Sequence, residues 1–264
     1  MVDKDVVGAV IPAVILAGGT NSAEMEAATG VKNRALVELA PGKTMLSFVI
    51  DAVKGSQLVS DLLVVGDVPS SPDYTSIATT TSFLGNLISG TKAAPESANK
   101  VLIVTSDIPF ITSVAVDDFL KQALDSGADF CYPIIPMETY RKTFGSMKRT
   151  TLKTAKGEFT GGNIMLLSRS YVTDHSKTID DAYAARKDIL KLGGMLGWGL
   201  LLKVVLSQLI VPKILSVAAL EAGVSHLLGH GATARAIVTE HASLGTDVDK
   251  PDDVKAAKVL LAAL

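Results

Sequence analysis

Cysteine is almost missing from these 264 residues. Cys131 stands alone, which excludes an intramolecular disulfide and any metal site built from a cysteine cluster, and suits a reducing compartment. The four histidines, His175, His226, His230 and His241, have none of the paired spacings, such as H-E-x-x-H, that mark a zinc-binding helix. Neither sign of charge is in excess. Twenty-five Lys and Arg stand against 27 Asp and Glu, a net charge of -2, so nothing in the total points to nucleic acid. The chain opens on MVDKD, where Asp3 and Asp5 flank Lys4, and Pro12 interrupts the first apolar run. That start lacks the basic region of a secretory signal, and the run before Gly18 is too short for a spanning helix. The expected location is therefore the cytoplasm. There is no internal repeat and no low-complexity linker.

What is present is a composition that folds. Hydrophobic residues make up 48% and charged residues 20%, as in globular proteins, and the length allows a large core in one α/β domain or two small ones. Val10 to Ala17, "VIPAVILA", is aliphatic and β-branched and ends on glycine, which predicts a strand buried on both faces. "TMLSFVIDAVKGS" carries Met45, Phe48, Val49 and Ala52 at helical spacing with Gly55 as the stop. Asp61 to Asp67 reads as a second buried strand, followed by a Ser/Pro-rich turn at Val68 to Pro72. "SFLGNLISGTKAA" reads as a helix, Lys100 to Phe110 as a third strand, "SVAVDDFLKQALDSG" as a helix and "ADFCYPIIPM" as a fourth strand. Such alternation predicts a largely parallel sheet covered on both faces, with ligands beyond the C-terminal strand ends. From Ile179 the chain is helical in composition and unusually apolar. "ARAIVTEH" reads as a late strand and "KPDDVKAAKVLLAAL" as a terminal helix, with Pro251 in its first turn and Asp252 and Asp253 at its positive end.

Four short stretches carry residues suited to chemistry. Gly18-Gly19, at a strand end, let backbone amides approach an anion, although a pair of glycines also makes an ordinary tight turn. Asp107, in "VTSDIPFI" just past an apolar strand, can hold Mg²⁺ beside substrate phosphates or can serve as a turn or cap aspartate. "GTDVDKPDD" offers Asp247 and Asp249, either as a second metal carboxylate or as a helix cap. "GEFTGGNIMLL" sets Thr160, Gly161, Gly162 and Asn163 before an apolar segment, as exposed donors or as a turn into an edge strand.

Read in order, "AVILAGGT", "NRALVELAPGKTMLSFVIDAV", "VLIVTSDIPFI", "TGGNIMLL" and "DVDKPDDVKAAK" resemble the nucleotidyltransferases of glycosyltransferase-A-type fold, of the molybdenum cofactor guanylyltransferase-like (MobA-like NTP transferase) family. The resemblance implies one Rossmann-like domain over 1–264. It would be a three-layer α/β/α sandwich with a mostly parallel mixed sheet, and an apolar helical subdomain over 179–232 inserted before the last strand and helix. It implies Mg²⁺-dependent transfer of an NMP from an NTP, GTP or CTP above all, to a small phosphorylated acceptor, with release of pyrophosphate. Leu16, Ala17, Gly18, Gly19 and Thr20 would form the nucleotide loop, and Asn86 would lie where the family reads base and ribose. Asp107 and Asp249 would bind the metal. Thr160 to Asn163 would face the acceptor. The family has a lysine where this chain has Arg34, with Lys32 nearby, and these two would offset phosphate charge.

The chain also departs from that pattern. Asn21 and Ala23 stand where the family loop, LAGG-x-G-x-R, has its third glycine and its arginine. Two further readings therefore stay open: a nucleotide-binding regulatory or scaffold protein with impaired turnover, and a nucleotide-sugar-dependent glycosyltransferase. The latter is at odds with "SDIP", which lacks the D-x-D form at the middle strand. The apolar stretch "GGMLGWGLLLKVVLSQLIVPKIL" would place Lys203 in the middle of a bilayer, at a cost of roughly 3 kcal/mol. A packed helical subdomain or a homodimer face explains it better. A peripheral membrane contact, with Lys191, Lys203 and Lys213 near headgroups and Trp198 at the interface, is the other reading.

Overall fold

The computed structural model describes residues 10–80, 82–145, 147–177, 179, 198–209 and 212–263. Much of the helical segment expected from Ile179, including Lys191, lies outside the described residues, as does the side chain of Trp198.

The centre is β1 (Ile11–Leu16), whose six residues are all buried. It pairs in parallel with β4 (Val59–Val65) on one side and β6 (Lys100–Thr105) on the other, and β5 (Thr75–Ile77) adds to β4 in parallel. Helices make the crossovers from β1 to β4 and from β5 to β6, as parallel strands generally require, whereas β4 reaches β5 through a loop alone. Helix α2 (Met45–Lys54) turns Met45, Leu46, Val49, Ala52 and Val53 inward and is capped by Thr44, whose hydroxyl accepts the Ser47 N–H. Helices α3 (Phe83–Ala93) and α4 (Ser113–Asp125) are opened by Ser82 and Thr112 in the same way. Phe119 and Leu120 of α4 are wholly buried in the main core with Ile15, Leu102 and Val104.

Beyond β6 the sheet changes character. Its order is β5-β4-β1-β6-β10-β7-β9-β8, with β11 (Ala234–Val238) on β7 (Phe130–Pro136). β10 (Ile164–Ser168) runs antiparallel to both β6 and β7, β11 is parallel to β7, and β9 (Gly157–Gly161) is antiparallel to β7 and to β8 (Leu152–Thr154). The turn-into-an-edge-strand alternative for "TGGNIMLL" is thus replaced by a central strand. Ile164 and Leu166 are fully buried, and only an interior position shields an apolar run on both faces. The third strand ends at Thr105 rather than Phe110. Pro109 cannot continue the ladder, and Ile108, Phe110 and Ile111 are buried as a loop instead.

Short elements fall where none was expected, among them α1 (Ala23–Thr29), the hairpin of β2 (Glu38–Ala40) and β3 (Lys43–Thr44), β5, α5 (Met137–Phe144), the β8-β9 hairpin and α6 (Arg169–Asp174). Helix α7 (Trp198–Leu209) hangs on the β8 edge, where the Gln208 side chain accepts the Lys153 N–H (3.1 Å) and donates to its carbonyl (3.3 Å). Helix α8 (Val217–Leu228) lies against β11. Leu202, Lys203, Lys213 and Ile214 are exposed. No helix among the described residues is long and apolar enough to cross a membrane. The last helix, α9 (Pro251–Leu261), has Pro251 in its first turn as expected.

Candidate active site

The strand ends of β1 and β6 open onto one cavity of about 220 Å³, lined by Leu16, Gly18, Gly19, Arg34, Asn86 and Asp107 among others. The loop after β1 is held from behind. Gly19 O accepts the Arg34 N–H, Asn21 N–H reaches Lys32 O, and Thr20 bridges Asn33, so α1 is a closed excursion from the loop. Asn33 Nδ2 donates to Ala17 O (3.1 Å) and Asp67 O (2.9 Å). Gly18 has no room for a side chain, since a Cβ there would sit 2.5 Å from Asn86 Nδ2. Asn86 is buried, and its Oδ1 accepts from Thr80 N–H (2.6 Å), Thr80 Oγ1 (2.9 Å) and Thr79 Oγ1 (3.3 Å). With the oxygen so occupied, the Nδ2 donor is turned toward Gly18 and the cavity.

Asp107 lies two residues past β6 and is fixed twice. Its Oδ1 accepts from Thr105 Oγ1 (2.6 Å), and its carbonyl accepts the Val248 N–H (2.9 Å). That second bond pins "DVD" to the strand end. Extended chain places residues i and i+2 on one face, so with Val248 fully buried, Asp247 and Asp249 look out together. Asp249 meets Arg34 Nη1, and the same nitrogen lies 3.2 Å from Asp107 Oδ2. Two carboxylates from opposite ends of the chain thus converge on one cation beside the glycine bend. Neither aspartate of "DVD" caps α9. Asp253 reaches back to the Lys250 N–H (3.0 Å) and takes that task, which leaves Asp247 and Asp249 to the site. Among the described residues no group of three or more His, Cys, Asp or Glu is placed to hold a metal unaided. Asp107 and Asp249 are the two carboxylates that would hold a hard dication here, with phosphate oxygens completing its shell. The Arg34 Nε–H is buried without a partner, a donor held in reserve.

Residues 160–163 lie on the far side of β6. Asn163 is stitched between β6 and the loop after β11, with its carbonyl accepting the Thr105 N–H (3.0 Å) and its N–H donating to Leu244 O (2.7 Å). Thr160 Oγ1 donates to Thr150 O (3.0 Å). These residues line a second cavity of about 450 Å³ together with Tyr132, Arg149 and Asp247. Arg149 is paired with Asp247, both side chains are less than a fifth exposed, and the Arg149 Nε–H is again buried without a partner. Burial pushes the Tyr132 hydroxyl above its usual pKa, with Arg149 opposing, so it remains a neutral donor.

The residues singled out in the sequence fall into three groups. Leu16, Gly18, Gly19, Arg34, Asn86 and Asp107 share the first cavity, and Asp249 joins it through Arg34. Thr160 to Asn163 share the second. Ala17 is buried behind the loop, Thr20 and Lys32 are exposed, and none of these three lines either cavity. Ala23, at the family's loop-arginine position, is the exposed first residue of α1, with Ser22 as its cap. Sequence reasoning missed Arg149, Tyr132, Thr79 and Thr80. The only local signal was the basic "MKRTT" ahead of the β8-β9 hairpin.

Comparison with known proteins agrees with this geometry. The family profile of the MobA-like NTP transferase domain matches residues 13–242. A hypothetical transferase from Thermus thermophilus is 32% identical, with a TM-score of 0.80, over 93% of this chain and 100% of that one. Two more distant structures share the fold. A CMP:2-keto-3-deoxy-manno-octonic acid synthetase complexed with CTP is 14% identical, with a TM-score of 0.58 over 97% of this chain and 99% of its own. The 2-C-methyl-D-erythritol 4-phosphate cytidylyltransferase of Thermus thermophilus is 13% identical, with a TM-score of 0.54 over 95% and 98%. No curated protein matches the chain. With the profile spanning the chain from β1 through β11, the chain belongs to the MobA-like NTP transferase family of nucleotidyltransferases.

Proposed function

We propose that the chain joins the NMP of an NTP, CTP or GTP, to a phosphate monoester and releases pyrophosphate. The observation that carries this reading is the meeting of Asp107 and Asp249 on Arg34 beside Gly18-Gly19. Two fold relatives whose names specify CTP or cytidylyl transfer make CTP the first nucleotide to test.

The reaction forms a bond between an acceptor phosphate oxygen and the α-phosphorus, and breaks the α-phosphorus bond to the bridging oxygen, whose electron pair leaves with pyrophosphate. Both reactants are anions, so the protein's work is positioning and neutralisation. The Gly18-Gly19 backbone and Asn86 Nδ2 hold the nucleotide. Arg34 offsets charge on the departing phosphates, with its free Nε–H as a further donor. Asp107 and Asp249 would hold Mg²⁺, which when bound polarises the α-phosphate. Arg149 and the Tyr132 hydroxyl receive the acceptor phosphate. In this assignment Lys32 adds only diffuse positive charge near the loop.

The test is pyrophosphate release with CTP and GTP across a panel of phosphate monoesters. Loss of one preorganised contact typically costs about 3–4 kcal/mol of barrier. Asp107→Ala in a folded protein should therefore cut release by about 10²–10³-fold, and wild-type-like turnover would refute the assignment. The absence of an arginine at Ala23 favours a second reading, a nucleotide-binding regulator. That reading requires CTP or GTP to bind with no pyrophosphate released under any acceptor.

A further inference from the structure

A third cavity, of about 240 Å³, lies between α8 and the sheet face made by β7, β9 and β11. It shares walls with the acceptor-side cavity at Tyr132, Leu152, Phe159, Thr160 and Gly161. The two differ in chemistry. The acceptor-side cavity holds Arg149 and Asp247, whereas the chamber is walled by Phe130, Ile134, Phe159 and the α8 stripe Val217, Leu220 and Val224. Its two charged side chains are occupied within the protein. Glu221 Oε2 lies 3.7 Å from Arg235 Nη1, and Glu221 Oε1 accepts the Ala236 N–H (2.9 Å). Glu221 is thus tied to β11, while the Arg235 side chain is exposed to solvent.

Protein interiors normally pack to crystal density, and unfilled apolar space forfeits dispersion contacts. The Val217, Leu220 and Val224 stripe has the helical spacing that should seal a core, yet these side chains are only half-buried. Tyr132 forms the common wall. Its ring stacks alongside Phe130 (6.3 Å between centroids), and its hydroxyl lies 2.5 Å from where a Gly161 Cβ would be. Tyr132 and Gly161 each line both cavities.

We propose that the acceptor is an amphiphile: a phosphate monoester whose phosphate lies at Arg149 and whose short apolar substituent passes Tyr132 into the chamber under α8. The inference rests on the nucleotidyltransferase reading for the role of its ligand, but the chamber can be probed without turnover.

The experiment is calorimetric titration of the full chain with methyl, butyl, hexyl and octyl phosphate, with and without Mg²⁺-CTP. Affinity should rise by up to about fourfold per methylene while the tail is being buried, then level off when the finite chamber is full. Ala236→Leu, which fills the chamber from the sheet, and Val224→Leu, which fills it from α8, should bring the plateau to a shorter tail. Mg²⁺-CTP binding, read in the same titrations, reports that each variant is folded. A flat series with intact CTP binding overturns the amphiphile and leaves the nucleotidyltransferase reading standing. A rise through octyl with no plateau in either variant assigns the affinity to exposed apolar surface, such as Leu202 and Ile214, and also overturns the chamber. An intact plateau without any NTP binding keeps the chamber and removes the nucleotidyl reading.

Discussion

From β5 to β6 the strands all run one way, the central β1 and β6 are buried on both faces, and the loops they feed are tied down by backbone hydrogen bonds. From β10 to β8 the directions alternate and a hairpin projects. Between sheet and α8 lies an apolar chamber that no side chain among the described residues fills. The first half carries a small polar cavity around one arginine and two carboxylates, suited to a polyphosphate of fixed shape. The second carries two cavities of opposite polarity with a tyrosine between them. A nucleotide is a constant reagent and tolerates a rigid, repeated cradle. An acceptor differs from one enzyme to another, so the proposed function gives it to the half whose pairing is least regular.

Substitutions can break or sharpen that contrast. The largest effect should come from Asp249→Asn, which keeps the shape but removes one of the two charges on Arg34. Turnover should fall by about 10²–10³ with every acceptor, read as pyrophosphate release. An effect confined to one acceptor would dissolve the division of labour. Next is Arg149→Ala. It leaves Asp247 buried without its cation and should raise the KM for the acceptor by at least about tenfold, at an unchanged KM for the nucleotide. Arg149→Lys restores charge without the planar fork and should recover part of the loss. Gly18→Ala forces a Cβ to within 2.5 Å of Asn86 Nδ2 and should weaken CTP binding by about tenfold in a titration, with acceptor binding untouched.

The smallest effect is one of pH, in the acceptor half. Hydrogen bonds from Thr151 and Arg141 hold the Glu158 carboxyl below the usual carboxylate range. Its folded pKa lies below its unfolded one, so the stabilisation is present above the unfolded value and fades as pH falls through the folded one. Thr151→Val should move that fading to higher pH. Thermal melts between about pH 3 and 6 would detect it, and identical curves would assign Glu158 no share in the hairpin's stability.

The same division governs what the sequence discloses. β1, α2, β4, α3, β6 and α4 are legible because apolar runs and helical spacing are local signals, and each element ends on its own cap. The Gly18-Gly19 bend and Asp107 follow as strand-end residues. The bridge between Asp107 and Asp249 is not local at all. Only the resemblance linked them, and spacing alone allowed either aspartate of "DVD" to be a helix cap, a task that falls to Asp253. Arg149 sits in a polar stretch with no period, and its partner Asp247 comes from the far end of the chain. α5 left a usable trace, since Met137, Tyr140 and Phe144 fall on one helical face, and all three are buried. The apolar chamber left none, because a space between elements has no residues of its own.

The bond from Val248 N–H to the Asp107 carbonyl also has a bearing on biosynthesis. A ribosome delivers the strands and helices of the parallel half early, and they can begin to pack before the rest emerges. The second carboxylate arrives only with residue 249, and it is seated by the docking of its neighbour onto a strand end made long before. A polypeptide cut short upstream of that tripeptide would keep much of the architecture yet lack the paired carboxylates. On the proposed mechanism, premature release would then yield an inert product rather than a half-competent enzyme that consumes nucleotide without a proper acceptor.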